Sequence, residues 1–205
     1  MTLYSDVSPD DWFFEYVEWM SQQGIANGYL TNPPCTSGTP CFMPGNNATR
    51  GQMTKIVILA FDIPINTGGG SHFADVPAGS TFYEYVETGF KLGLWSGYAD
   101  GTFKPADIVT RGQAAKIVVN AAILVDLIHW TLENPPTNTF EDVPVGSTFF
   151  RHIETAVSHG IVSGYQCGTP GPCVPPLNKP YFAPDAEVTR AQISKITFLA
   201  ANYGR

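Results

Sequence analysis

Three arginines stand at equivalent places in a repeated tetrapeptide and are the residues of this sequence best suited to binding a ligand. The tetrapeptides are Thr49-Arg50-Gly51-Gln52, Thr110-Arg111-Gly112-Gln113 and Thr189-Arg190-Ala191-Gln192. A threonine followed three residues later by glutamine is the pattern of a capping box, so each arginine is predicted to lie in the first turn of a helix. Helix energetics alone favour an acid there. Free backbone N–H groups beside a guanidinium would instead form an anion site.

A structural role is the alternative for the same arginines. Each could form an internal salt bridge with an aspartate of a neighbouring repeat, and the candidates are Asp6, Asp75 and Asp142. An aspartate that orients an arginine beside a ligand would combine the two roles. The sequence leaves both open and favours ligand binding.

Aromatic residues close to these helix starts suit the binding of sugars. They lie in predicted loops and at helix starts: Trp12, Trp19, Tyr29, Trp95, Tyr98, Tyr165 and Tyr181. Gly-Tyr dipeptides begin at Gly28, Gly97 and Gly164. A tyrosine beside an arginine-bearing helix could stack on a sugar ring. Packing in the core or in hairpins is the alternative.

The four cysteines form two pairs, Cys35 with Cys41 and Cys167 with Cys173, and each pair encloses five residues rich in proline and glycine. Four cysteines allow three pairings, and the local pairing is favoured because each pair lies within one insertion. Structural zinc prefers two to four residues between its cysteines. We therefore predict two local disulfides and an oxidising compartment, with free thiols in a cytosolic protein as the alternative.

No catalytic or metal-binding set stands out among the other polar residues. The histidines His72, His129, His152 and His159 lack metal-ligand spacing, and His152 falls on the core-facing stripe of a predicted helix. No Ser-His-Asp or Cys-His set occupies comparable positions in the repeats. We expect no enzyme activity, no metal and no cofactor.

Charge and hydropathy narrow the possible partners. Eleven lysines and arginines against 18 acidic residues give a net charge of −7, which argues against nucleic-acid binding because phosphate contacts need cations. Polar residues interrupt the longest apolar stretch, Ala114 to Trp130, so we expect no membrane insertion. Residues 1–10 lack the features of a signal peptide. With the disulfides, this suggests an extracellular protein whose signal peptide has been removed.

The chain consists of three copies of one pattern. The aspartates of three aromatic-x-Asp-Val motifs are 69 and 67 residues apart, and the Gly-Tyr dipeptides keep the same steps. We assign the repeats to residues 1–67, 68–134 and 135–205. Only the segment after each Gly-Tyr varies in length, and the outer repeats carry 8 and 12 extra residues there, including the cysteine pairs.

Each repeat is predicted to hold a helix, a loop and a second helix. Apolar residues at i, i+3, i+4 and i+7 predict the first helices at 11–23, 80–92 and 147–159. A glycine ends each of them: Gly24, Gly93 and Gly160. The middle second helix is predicted to reach Glu133, before Asn134-Pro135-Pro136. One repeat buries little surface alone, so we expect an all-α fold in which three repeats share a core.

These motifs resemble those of the S-layer homology domain family. The family pattern has Phe-x-Asp-Val, a tryptophan that opens the first helix, Gly-Tyr-x-Asp-Gly-Thr-Phe-x-Pro, and Thr-Arg-Ala-Glu at the second helix. The middle repeat carries Phe73-Ala74-Asp75-Val76, the complete Gly-Tyr motif from Gly97 to Pro105, and Thr110-Arg111-Gly112-Gln113. The resemblance covers essentially the whole chain, three times.

The resemblance implies a pseudo-threefold helical unit that anchors surface proteins to anionic, often pyruvylated, secondary cell-wall polysaccharides. It places the ligand in grooves between repeats, with the arginine of Thr-Arg and the aspartate of Phe-x-Asp prominent. By position, the implied glycan-binding residues are Asp6, Trp12, Gly28, Arg50, Asp75, Gly97, Arg111, Asp142, Gly164 and Arg190.

The chain departs from the family pattern in two ways. Glutamine replaces the family glutamate at 52, 113 and 192, which removes a charge beside each arginine. The tryptophan of the first helix is present only as Trp12, because Thr81 and Thr148 replace it. If that tryptophan contributes to a groove, at most one groove is complete.

We therefore expect a non-catalytic module at the cell surface that binds the cell wall through an anionic polysaccharide. The alternative is a self-assembling structural subunit of a surface layer or an extracellular filament. The low charge and the aromatic residues would also suit contacts between subunits, and copies of the same chain would then be its partners.

Overall fold

The computed structural model describes residues 3–30, 35, 39–126, 129–168 and 170–204. This part of the chain contains six α-helices: α1 (Phe14–Gln22), α2 (Arg50–Ala60), α3 (Tyr83–Lys91), α4 (Arg111–Val125), α5 (Phe150–Ser158) and α6 (Arg190–Ala201). The helices come in three pairs, and the only β-structure among these residues is a set of isolated bridges. The predicted all-α fold of three helix-loop-helix repeats is confirmed.

The second helix of each repeat, α2, α4 or α6, begins at its predicted cap. In all three, the threonine hydroxyl accepts the backbone N–H of the glutamine, and the glutamine side chain accepts the backbone N–H of the threonine. Between Thr49 and Gln52 these distances are 3.3 and 3.1 Å. The capping boxes are therefore confirmed.

The first helix of each repeat starts three residues later than predicted. A hydrogen-bonded turn comes first, as when Phe14 N–H donates to the Asp11 carbonyl oxygen at 3.0 Å. The phenylalanine that precedes each of these helices offers no side-chain cap. The glycines after the helices have φ of 67°, 71° and 69°, the left-handed conformation predicted for helix ends.

The middle second helix is shorter than predicted. α4 ends at Val125 rather than near Glu133, and Asp126 leaves the helical region with φ −143°. The Asp126 carboxylate accepts the His129 N–H at 3.2 Å, and Trp130 N–H donates to the Asp126 carbonyl at 3.1 Å. The turn carries Trp130 into the core, where its ring is stacked on His159 at 4.0 Å. Burial of this large side chain thus ends the helix before the proline pair.

The second helices form the centre of the molecule. α2, α4 and α6 contact one another, and the first helices pack around them. The pairing is offset by one repeat: α3 packs on α2, α5 packs on α4, and α1 packs on α6. Each first helix therefore covers the second helix of the preceding repeat, and the contact between α1 and α6 closes a ring.

Three backbone hydrogen bonds close the same ring just before the second helices. Ala48 N–H donates to the Val188 carbonyl, Val188 N–H to the Val109 carbonyl, and Val109 N–H to the Ala48 carbonyl, at 2.9–3.0 Å. All three residues are fully buried. Equivalent residues of the three repeats thus meet in one cyclic hydrogen-bond set.

Both predicted disulfides are present. The Cα atoms of Cys35 and Cys41 are 5.4 Å apart, and those of Cys167 and Cys173 are 4.7 Å apart. Each disulfide lies in the hairpin that follows a Gly-Tyr dipeptide. In the middle repeat, the Tyr98 N–H donates to the Thr102 carbonyl oxygen at 2.8 Å across a short turn without cysteines.

Among the described residues, no helix is long and apolar enough to cross a membrane.

Candidate functional site

Each arginine of the Thr-Arg motifs crosses into the next repeat. Arg50 Nε donates to the carbonyl oxygen of Phe103 at 2.9 Å, and Nη2 donates to that of Ser96 at 3.3 Å. The equivalent bonds join Arg111 to Phe182 and Ser163, and Arg190 to Phe42 and Asn27. The arginines therefore connect repeat 1 to 2, 2 to 3, and 3 to 1.

The guanidinium groups are largely buried, with arginine exposures of 6–8%. The Cζ of Arg50 lies 4.4 Å from the centre of the Phe103 ring and 5.1 Å from that of Tyr98. Burial lowers the pKa of the Arg50 guanidinium, and nearby acidic groups, including Asp107 and Asp75, oppose that shift. An arginine side chain remains protonated in proteins, so each groove described below contains a buried positive charge.

The backbone amides at these helix starts are not free, contrary to the expectation for an anion site. Arg50 N–H donates to the Asp107 carbonyl at 2.8 Å, and Gly51 N–H donates to the Pro105 carbonyl at 2.9 Å. The same two bonds occur at the start of α4 and of α6. Carbonyl groups of the next repeat therefore occupy the donors that a helix N-terminus would offer to an anion.

The predicted aspartates hold the backbone rather than the arginines. Asp75 accepts the backbone N–H groups of Phe103 and Lys104 at 2.8 and 2.7 Å. Asp6 and Asp142 do the same in their repeats. Lys104 has φ 58°, so the carboxylate stabilises a turn that a residue with a Cβ rarely adopts. No ion pair joins these aspartates to the arginines within the described ranges.

The predicted glycines are required by close packing. A Cβ on Gly97 would lie 2.2 Å from Cε1 of Phe73 and 2.6 Å from the Thr102 carbonyl oxygen. Gly28 and Gly164 have the same surroundings in their repeats. All three also line surface grooves, and the missing side chain lets the backbone approach an aromatic ring closely.

Three equivalent grooves lie between the repeats, with volumes of 240, 230 and 270 Å³. We name each after its residue at the start of a first helix. The Trp12 groove is lined by Trp12, Arg111, Tyr165, Gln192 and Lys195, among others. The Thr148 groove has Thr148, Arg50, Tyr98, Gln113 and Lys116. The Thr81 groove has Thr81, Arg190, Tyr29, Gln52 and Lys55.

Every groove takes residues from all three repeats. In the Trp12 groove, Trp12 comes from repeat 1, Arg111 from repeat 2, and Tyr165 with Lys195 from repeat 3. The other two grooves have the same composition, with each repeat supplying a different part. The grooves therefore exist only when the ring is closed.

The lysines and glutamines of the grooves were missed as site residues from the sequence. Gln52 and Lys55 are three residues apart on α2, so both project from the same side of the helix into the Thr81 groove. The recurring Lys-Ile dipeptide, three residues after each glutamine, was the available sign. The lysines are half-buried, so part of each side chain is accessible to a ligand.

The three grooves differ at the position of the first-helix tryptophan. Trp12 is 57% exposed, its ring is roughly perpendicular to that of Phe13, and Lys195 Nζ lies 5.7 Å from its ring centre. Thr148 and Thr81 are exposed and offer no ring. The Thr148 groove also differs in Lys104, whose Nζ lies 4.3 Å from the Tyr98 ring centre.

A family model for the S-layer homology domain matches residues 3–54, 72–115 and 139–193. The chain belongs to this family. Its three S-layer homology matches each contain one Gly-Tyr dipeptide and one Thr-Arg motif.

Similar chains are found within much larger proteins. Cell surface glycoprotein 1 of Acetivibrio thermocellus is 30% identical over 155 residues, which are 71% of this chain and 6% of the relative. The surface-layer 125 kDa protein of Lysinibacillus sphaericus is 24% identical over 76% of the chain and 12% of its own length. An endoglucanase of Bacillus sp. is 28% identical over 58% of the chain and 11% of its own length. The chain thus spans only a small part of these relatives.

Proposed function

We propose that this chain is a non-catalytic cell-surface module that binds an anionic cell-wall polysaccharide in the grooves between its repeats. Membership of the S-layer homology family supports association with the cell surface. Two similar proteins bear surface-protein names, which supports the same role here. The observation that carries the proposal is the recurrence of one arginine, one lysine, one glutamine and one tyrosine in three equivalent grooves.

The cations of each groove have different tasks. The arginine uses two nitrogens on backbone carbonyls, and its charge sets a positive potential at the groove floor. The lysine is the more exposed of the two cations, and no ion pair to it occurs in the described part of the chain. A carboxylate substituent on a sugar would therefore pair with lysine, close to the buried arginine, in a charge-assisted contact.

The remaining groove residues suit the sugar itself. Tyr98 and Tyr165 are exposed at the groove edge and can contact the apolar face of a pyranose, since aromatic rings favour such flat surfaces. The glutamine side chains bring amide groups to the same space and can bond sugar hydroxyls. A pyruvylated or otherwise carboxylated hexose would satisfy both kinds of contact.

The proposal is tested with the triple variant Lys55→Gln/Lys116→Gln/Lys195→Gln. Glutamine keeps helix propensity and removes only the charge. The assay is co-sedimentation with cell-wall sacculi that carry a pyruvylated polysaccharide, and with the same sacculi after mild acid has removed it. We expect the wild type to pellet with intact sacculi only, and the triple variant to remain in solution.

The control is Lys91→Gln/Lys179→Gln, which removes two positive charges outside the grooves. Lys91 donates to the Asn66 carbonyl and Lys179 to Asn138, away from the groove linings. This variant should bind as the wild type does. Equal pelleting of the wild type and the triple variant would contradict the proposal, as would equal pelleting with intact and stripped sacculi.

Assembly with further copies of the chain is a second candidate function. Leu30 and Leu177, beside the disulfide-closed insertions, are 85% and 69% exposed, and exposed apolar residues favour contacts between proteins. An assembling subunit forms large particles without cell wall, whereas an anchor stays monomeric until wall is added. Sedimentation velocity of the wild type with and without sacculi separates the two.

A further inference from the structure

We infer that the three grooves are unequal and that the Trp12 groove is the principal binding site, selective for a pyranose that bears a carboxylate. This inference rests on the proposed polysaccharide binding and assigns it to one groove. The three grooves share an arginine, a lysine, a glutamine and a tyrosine. They differ at the position of the first-helix tryptophan, which is Trp12, Thr81 or Thr148.

The Trp12 groove offers both a cation and an exposed aromatic ring. Trp12 is 57% exposed, whereas Trp130 and Trp95 are buried in the core. Its ring contacts Phe13 edge to face at 5.2 Å, which holds the ring while leaving most of its surface open. Lys195 Nζ lies over this ring, 5.7 Å from its centre, which is farther than Lys104 Nζ lies from the Tyr98 ring centre. A sugar stacked on Trp12 would present a carboxylate substituent to Lys195.

The Thr148 groove offers less aromatic surface, for two reasons. Thr148 replaces the tryptophan, and Lys104 Nζ lies 4.3 Å from the centre of the Tyr98 ring. Arg50 approaches the same ring at 5.1 Å, as Arg111 approaches Tyr165 at 4.9 Å in the Trp12 groove. Lys104 therefore adds a second cation against the tyrosine ring and reduces the surface left for a sugar.

The Thr81 groove is intermediate. Thr81 stands in place of the tryptophan, and Met43 stands in place of Lys104. Among the described residues, the only cation close to the Tyr29 ring is therefore Arg190, at 5.3 Å. An aromatic surface could be restored here by one substitution. This makes the Thr81 groove a matched test site for the role of Trp12.

The first experiment compares single substitutions in the sacculus assay. Because a buried tryptophan contact commonly dominates a binding interface, Trp12→Ala should weaken binding about tenfold or more. Lys195→Gln should weaken it by a similar factor, while Lys55→Gln and Lys116→Gln have little effect. Trp12→Phe, which keeps an aromatic ring, should fall between Trp12→Ala and the wild type. Trp12 lies at the surface, so circular dichroism should be unchanged in all five variants.

The second experiment moves the tryptophan to another groove. Trp12→Ala/Thr81→Trp should regain binding relative to Trp12→Ala/Thr81→Ala, and the regained binding should be lost on adding Lys55→Gln. Failure of the transferred tryptophan to restore binding would assign the loss in Trp12→Ala to packing on Phe13 and would overturn the inference.

The outcomes also separate this inference from the proposed function. If Trp12→Ala binds like the wild type, or if the three single lysine variants are equally impaired, while the triple lysine variant fails to bind, the grooves are equivalent and only this inference is wrong. If the triple lysine variant binds normally, the proposed polysaccharide binding itself is wrong.

Discussion

Arg190 donates its Nε proton to the carbonyl oxygen of Phe42, 148 residues earlier in the chain, at 2.9 Å. The same contact links Arg50 to Phe103 and Arg111 to Phe182. A motif that suggests ligand binding in the sequence therefore serves first to join the repeats. The bonds between repeats fix the position of each arginine, and its charge lies at a groove as a result.

Replacement of Arg111 by alanine should destabilise the fold. It removes the donors of the Phe182 and Ser163 carbonyl oxygens. The Phe182 carbonyl is buried, and a buried group left unsatisfied costs about 1–3 kcal/mol. Urea unfolding followed by circular dichroism measures the loss. Arg151→Ala is the control, since Arg151 bonds two carbonyl oxygens at an exposed site. Equal losses in the two variants would show that burial of the arginine does not matter.

Replacement of Thr110 by alanine should affect stability but not binding. The variant loses the cap of α4, which lowers the free energy of unfolding by about 1 kcal/mol. The Thr110 hydroxyl accepts the Gln113 N–H and is not among the groove residues. Thr131→Ala, at an exposed site outside the helices, should leave stability unchanged. A large loss of sacculus binding in Thr110→Ala would indicate that the cap positions a ligand contact.

Removal of the first disulfide should destabilise the protein by a modest amount. Cys35→Ala/Cys41→Ala opens a short loop, and loop-closure entropy for such a loop corresponds to about 2 kcal/mol. The Tyr29 hairpin keeps its two backbone bonds at 2.7 and 3.1 Å, so the fold should persist. The measurement is thermal unfolding with and without reductant. Reductant should lower the Tm of this variant less than that of the wild type, because only Cys167–Cys173 remains to be reduced.

Acidification should destabilise the α4–α5 interface through His152. Burial, followed by the positive charges of Lys116 and Arg151, lowers the pKa of His152 to about 4. Its Nε2 faces Asn120 Oδ1 at 3.1 Å, and its buried Nδ1 has no partner in the described structure. The unfolded chain has the ordinary histidine pKa of about 6.5, so it binds a proton more readily than the folded protein in this range. The contribution of His152 to stability is therefore complete above pH ~6.5 and is lost as the pH falls towards about 4.

The variant His152→Gln isolates this effect. Glutamine can still donate to Asn120 and does not titrate. The difference in unfolding free energy between wild type and variant should change between pH 7 and pH 4.5, in favour of the variant at low pH. A constant difference over that interval would rule out His152 as the cause.

Salt should have a small effect on polysaccharide binding. The net charge of −7 repels an acidic polymer at long range, and added salt screens this repulsion over a Debye length of about 8 Å at physiological ionic strength. Salt also weakens the lysine contacts, which lowers the affinity and offsets the gain from screening. Titrations at low and moderate ionic strength should give similar affinities, whereas a basic-patch binder would lose affinity steeply. A steep loss would point to a more extended electrostatic contact.

Local features of this fold could be predicted because local chemistry determines them. Thr49 and Gln52 specify a capping box without reference to the rest of the chain, and Gly24 ends α1 in the same way. The pairing of Cys35 with Cys41 follows from their proximity in the sequence. The end of α4 was not predictable in this way, because burial of Trp130 against His159 depends on a contact with the next repeat.

The roles of the candidate site residues depended on information that a sequence does not display. Arg50 binds the carbonyl oxygens of Phe103 and Ser96, and every residue carries such an acceptor, so residue type gives no indication of the partner. The amides at the start of α2 were expected to be free, but they donate to carbonyl groups of the next repeat. The position of Trp12 in the groove that contains Arg111 was not predictable either, since it follows from the closure of the ring.

Contact between α1 and α6 has a mechanical consequence. In an open array of repeats each unit touches only its neighbours, so a pulling force can peel the array from one end. Here the first and last helices hold each other, and Ala48, Val109 and Val188 bind one another around the centre. A load applied at either end of the chain must therefore break the α1–α6 contact and one of these central bonds before any repeat can unravel. We expect the domain to yield in a single cooperative step under tension, a property suited to a module that holds its load at an exposed surface.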